Sequence, residues 1–119
     1  MAKKHFVCTP AQLPQGERKL ITIGSRQIGL FNVDGDYYAL LNVCPHTGGN
    51  LCEGPVCGTN LPVDGGKQEY AYGMKNKVLR CAWHGWEFDI ATGKNIADPH
   101  IRAKTYAVEV DNDGVFVIV

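Results

Sequence analysis

Neither sign of charge dominates this 119-residue chain. Lys and Arg total 12, Asp and Glu total 12, and the formal net charge is zero. Without a global field or a basic stripe interleaved with aromatics, nucleic-acid binding is not expected. Long apolar runs are missing too. None approaches the roughly 20 residues of a membrane span, so no membrane partner is expected. Pro10, Pro14 and Gly16, rather than an apolar stretch, follow Lys3 and Lys4. A secretory signal is therefore not expected, and the cytoplasm is the expected compartment. There is no sustained helical period, internal repeat or low-complexity tract. The five cysteines are an odd number, which suits metal-bound or unpaired thiols in a reducing compartment better than a disulfide framework.

What is present reads as an all-β protein. Apolar residues make up 45% and charged residues 20%, ordinary values for a globular chain. The length points to one domain, 1–119, with a core small enough that a bound metal would add noticeable stability. Strings rich in Val, Ile, Tyr and Phe alternate with Gly, Asp, Asn and Pro. Strands are expected over Arg18–Ile23, Gln27–Val33 and Tyr37–Asn42, the last two joined by a tight turn at Asp34-Gly35. A final hairpin is expected from Thr105–Val110 and Val115–Val119, turning at Asn112-Asp113-Gly114. Gly48–Gly66, with six glycines and two prolines, reads as loop. Glu69–Arg80 reads as a hairpin turning near Lys75-Asn76. Glu87-Phe88-Asp89 resembles a strand, followed by a turn at Ala91-Thr92-Gly93-Lys94.

Two short runs carry the chemistry: Cys44-Pro45-His46 and Cys81-Ala82-Trp83-His84-Gly85-Trp86. Each offers one thiolate and one imidazole within a few residues. On two separate loops, they would grip a two-iron cluster from opposite sides, cysteines on one iron and histidines on the other. In an extended loop alternate side chains point the same way, so Cys44 and His46 can reach neighbouring irons. Pro45 stiffens that loop because its φ is fixed. Gly48, Gly49 and Gly85 would let backbone N–H groups come close to sulfide. The rival reading is a structural zinc site with the same Cys₂His₂ set. Zinc fingers, however, carry their histidines on a helix, and none is visible here.

Cys44-Pro45-His46-Thr47-Gly48 and Cys81-Ala82-Trp83-His84-Gly85-Trp86-Glu87-Phe88-Asp89 resemble the two cluster boxes of Rieske iron–sulfur proteins. The ferredoxin and oxygenase branch is the nearer match. The resemblance implies a Rieske-type antiparallel β-sandwich base with a small cluster-binding subdomain at about 43–90. It implies one [2Fe–2S] cluster per chain, bound by Cys44, His46, Cys81 and His84. The respiratory branch has an extra cysteine in each box; here Gly49 and Trp83 stand at those places. It also has a Ser and a Tyr hydroxyl where this chain has Trp86 and Phe88. Hydrogen bonds to sulfur raise the potential, so the resemblance implies a potential near the low end of the Rieske range, about −150 mV.

An oxygenase also needs a mononuclear iron held by two histidines and a carboxylate. With His46 and His84 assigned to the cluster, only His5 and His100 remain, and neither lies in such a motif. The chain is therefore expected to be an electron carrier and not itself an enzyme. It would take one electron from a reductase and pass it to an oxygenase or similar oxidoreductase. The alternative is a fixed small subunit of a larger oxidoreductase such as a nitrite reductase. Cys52 and Cys57 are expected as free loop thiols, with a disulfide between them as the alternative. Cys8 reads as a small core or strand residue, His5 as part of a frayed terminus, and His100 as a solvated loop residue. Of Trp83 and Trp86, one would shield the cluster and the other pack as core. Glu109, Asp111 and Asp113 form an acidic edge, either simply solvated or able to dock a basic reductase.

Overall fold

The computed structural model describes residues 3–45, 49–62, 70–81 and 86–119, with backbone alone for 57–62 and 70–76. Among the described residues there are nine strands and two single 3-10 turns, Pro10–Gln12 and Leu51–Glu53. All strand pairing is antiparallel. The strands are β1 (Lys4–Cys8), β2 (Arg18–Ile23), β3 (Arg26–Val33), β4 (Asp36–Leu41), β5 (Val56–Pro62), β6 (Tyr70–Arg80), β7 (Glu87–Asp89), β8 (Thr105–Asp111) and β9 (Gly114–Ile118). They form a six-stranded sheet, β1-β9-β8-β4-β3-β2, and a three-stranded sheet, β5-β6-β7.

The larger sheet folds over on itself at β8. Thr105 and Tyr106 pair with β4, whereas Ala107–Asp111 pair with β9. The two leaves thus enclose one apolar core of Cys8, Leu13, Ile28, Leu30, Ala39, Val115 and Val117. Strand side chains alternate between faces, and β3 uses both. Ile28 and Leu30 point into that core. Phe31 and Val33, with Leu40 of β4, enter a second core shared with the small sheet and its loops. The β3–β4 turn is the expected Asp34-Gly35, at φ 54° and 93°. Both residues have the positive φ of a two-residue hairpin that matches strand twist.

Three expectations are corrected. Gly48–Gly66 is not all loop, because Val56–Pro62 is strand β5. Tyr70–Arg80 is one strand of 11 residues rather than a hairpin, and its partner is β5. The turn-like Lys75-Asn76 lies at a real irregularity: Cys57 faces Val78 but Thr59 faces Gly73, so β6 bulges there without reversing. His5 does not fray. It pairs with Val117 in β1, a strand whose burial alternates from Lys4 to Cys8.

The acidic edge of the last hairpin is partly neutralised. Lys4 Nζ lies 3.0 Å from Asp111 Oδ2 and 3.4 Å from Glu109 Oε2. The hydrogen bond from Lys4 holds the Asp111 carboxyl below its usual range and raises the Lys4 ammonium in return. No helix among the described residues is long and apolar enough to cross a membrane.

Candidate metal centre

Cys44 and Cys81 leave two different strand ends and meet in one core. Cys44 stands three residues beyond β4, and Cys81 directly follows β6. Each is 1% exposed, and both belong to the cluster formed by Phe31, Leu40, Leu51, Cys52, Leu79, Phe88 and Ile90. Their backbones are held alike. The Cys44 N–H donates to Gly49 O at 2.7 Å, and the Cys81 N–H donates to Trp86 O at 2.8 Å. Each cysteine thus closes a loop onto the carbonyl five residues ahead. His46 falls inside the first closure and His84 inside the second. Both histidines lie outside the described residues, as do Gly48, Trp83 and Gly85.

The second loop is the tip of a hairpin. Arg80 faces Glu87 across β6 and β7, and Arg80 Nη2 lies 3.0 Å from Glu87 Oε2. Beneath it, Leu79 pairs with Phe88. Phe88 is fully buried, and Trp86 is half-buried against the same core. Trp86 is thus a packing residue, as one of the two tryptophans was expected to be. Neither Trp86 nor Phe88 carries a hydroxyl to offer to sulfur.

The described half of the site fits a thiolate-bound metal. A buried thiolate needs a nearby cation, and a soft metal held by soft sulfur is the usual solution. Two cysteines delivered from separate loops to one dry core suit a bridged cluster.

The other cysteines and histidines fall elsewhere. Cys8 is buried in the base core as expected, and burial raises its thiol pKa. Cys52 is unpaired but is no loop thiol. It is fully buried, and its Sγ–H donates to Leu40 O at 3.4 Å. Burial pushes its pKa up to about 12, so at neutral pH it is a protonated, space-filling group. The Cys57 side chain lies outside the described residues. His100 is exposed on a loop, its N–H bonded to Asp98 Oδ1 at 3.1 Å. Sequence reasoning missed the residues that hold the first loop: Asn42, Arg18 and Gly54. Their partners lie ten or more positions away, so no local pattern marks them.

Comparison with known proteins accords with this geometry. Residues 3–110 match the family described as Rieske [2Fe-2S] domain. The 3-phenylpropionate/cinnamic acid dioxygenase ferredoxin subunit of Photorhabdus laumondii is 28% identical over 115 residues, covering 96% of this chain and 92% of that protein. Among solved structures, the Sphingomonas yanoikuyae B1 ferredoxin superposes with a TM-score of 0.69 at 28% identity, covering 98% of this chain and 97% of that one. A putative NADH-dependent nitrite reductase small subunit from Mycobacterium tuberculosis superposes at 0.71 with 20% identity, covering 100% and 96%. That last likeness is one of fold.

Proposed function

This chain belongs to the Rieske [2Fe–2S] domain family, and from that we propose that it is a ferredoxin, carrying single electrons from a reductase to an oxygenase. One observation carries the reading: Cys44 and Cys81, on loops closed by the same amide-to-carbonyl bond, converge in one apolar core. We assign Cys44 and Cys81 as the thiolate ligands of one iron, and His46 and His84 as the imidazole ligands of the other. When bound, the cluster supplies one reversible electron. The protein's part is to hold four donors in place, exclude water from the sulfur side, and leave the potential low by offering no hydroxyl from Trp86 or Phe88.

The chain acts as one domain, 1–119, with the segment at about 43–90 as its cluster-binding subdomain. Its site is the cytoplasm, the reducing compartment that the unpaired thiols of Cys8 and Cys52 suit. Oxygen activation belongs to the partner. The named relatives that are ferredoxin components support a mobile carrier over a fixed subunit.

Anaerobically purified protein should be red-brown, contain two irons and two acid-labile sulfides, and bleach with dithionite. With a ferredoxin reductase and an oxygenase it should restore NADH-dependent oxygenation. Colourless protein with one zinc would refute the assignment, and so would a chromophore left intact in both His46→Ala and His84→Ala.

A further inference from the structure

The two ligand loops are not supported equally. The second is bracketed by β6 and β7. Among the described residues, the first leaves β4 and returns through the 3-10 turn Leu51–Glu53 before strand β5 begins at Val56. Three neighbouring strands of the base compensate, and all of them act on one residue of that turn, Cys52. From β2, Arg18 Nη1 donates to Cys52 O at 2.8 Å and also to Gly54 O. Its guanidinium lies over the Phe31 ring, 5.4 Å from the centroid. From β3, Gly29 makes room: a Cβ there would stand 2.6 Å from Cys52 Cβ and 2.7 Å from its Sγ. From β4, Leu40 O accepts a hydrogen bond from the Cys52 thiol. Just past β4, Asn42 Oδ1 accepts the Cys52 N–H at 2.7 Å. Asn42 is itself 3% exposed and doubly tied to Gln27: its Nδ2 donates to Gln27 Oε1 at 2.8 Å, and its N–H to Gln27 O at 2.8 Å.

We infer that Asn42 and Arg18 are positioning residues for the iron–sulfur centre: by fixing Cys52 to the base they lock the arc 42–52 that presents Cys44. The inference rests on the ligand assignment above. The arc then carries an inner closure, Cys44 to Gly49, and an outer one, Asn42 to Cys52. Removing the outer one takes away a brace that ties the far end of the ligand loop to the base. A ligand that wanders releases metal faster and spreads the geometry at iron, just as loss of an outer-shell partner weakens a metal site.

The test compares Asn42→Ala, Asn42→Asp and Arg18→Met with Val117→Ala, a cavity variant in the distant base core. In Asn42→Ala, bleaching by an iron chelator should run at least tenfold faster and the reduced-state EPR lines should broaden. Asn42→Asp keeps the acceptor oxygen for the Cys52 N–H but gives up the donation to Gln27 Oε1, so it should fall between wild type and Asn42→Ala in both readouts. Val117→Ala should lower the melting temperature yet leave bleaching and line shape unchanged. Arg18→Met keeps an unbranched apolar stem and loses both donations together with the guanidinium over Phe31. It should show the same two effects, and it carries the test if Asn42→Ala does not fold. Amide hydrogen exchange gives a readout without metal: in cluster-free Asn42→Ala the Cys44 N–H should exchange at least tenfold faster than in cluster-free wild type. Unchanged bleaching and Cys44 exchange in both Asn42→Ala and Arg18→Met would overturn the inference, as would equal changes in Val117→Ala. A wild-type protein that binds no cluster would defeat the ligand assignment instead, and the exchange comparison would still decide whether Asn42 holds the loop.

Discussion

Replacing Gly54 by alanine sets two effects against each other, and the structure says which wins. Gly54 has φ −75° and ψ 168°, an extended conformation open to any residue. On conformational grounds alone, Gly→Ala should therefore stabilise by about 0.4–1 kcal/mol, because the unfolded chain loses freedom. Packing says the opposite. An added Cβ would stand 1.8 Å from the Arg80 carbonyl oxygen, which is backbone and has no rotamer to escape into. Overpacking of a tight site costs about 1–3 kcal/mol. Moving Arg80 also strains its N–H bond to Pro55 O, 2.9 Å long, and a lost bond of that kind costs about 1 kcal/mol. The net expectation is a loss of about 2–3 kcal/mol, a sizeable share of a total typically about 5–15 kcal/mol. The urea midpoint, followed by circular dichroism, should fall by roughly 1–2 M for a typical small-protein slope. Arg80 immediately precedes Cys81, so the same variant should also lose iron faster. A Gly54→Ala protein as stable as wild type, or more so, would show that the turn and β6 do not touch as described.

The reduction potential should be negative, near the Rieske lower limit of about −150 mV; voltammetry returning a value above zero would refute the argument from the missing hydroxyls at Trp86 and Phe88. Stability should decline in alkali through Cys52. Its thiol ionises near 9.0 when unfolded and at about 12 when folded, so its contribution is complete below pH 9 and lost as pH rises toward 12. The limiting slope is about 1.4 kcal/mol per pH unit. The stability gap between wild type and Cys52→Ala should therefore narrow between pH 8 and 10.5, and a constant gap would contradict the buried thiol.

The hairpins were legible because their signals are local. Asp34-Gly35 and Asn112-Asp113-Gly114 each punctuate two apolar strings, and both turn where expected. Cys44 and Cys81 stood out for the same reason, each within a compact motif. Strand β5 was hidden because Gly58 and Pro62 lie within it, and those residue types usually mark loops. It is a strand because β6 offers it a partner, a fact about distant sequence. The grip on Cys52 was hidden more deeply. Arg18 lies 34 positions away and Gly29 lies 23 away, and nothing in either neighbourhood announces the meeting.

Strand β3 has consequences beyond its own pairing. Ile28 and Leu30 line one core while Phe31 and Val33 line the other, so a single ribbon is the party wall of two rooms. Excising 43–90 would strip Phe31, Val33 and Leu40 bare and leave the remainder sticky. The lobe expressed alone would in turn lack one of its walls. Melting should accordingly run as one event, with colour and fold disappearing together.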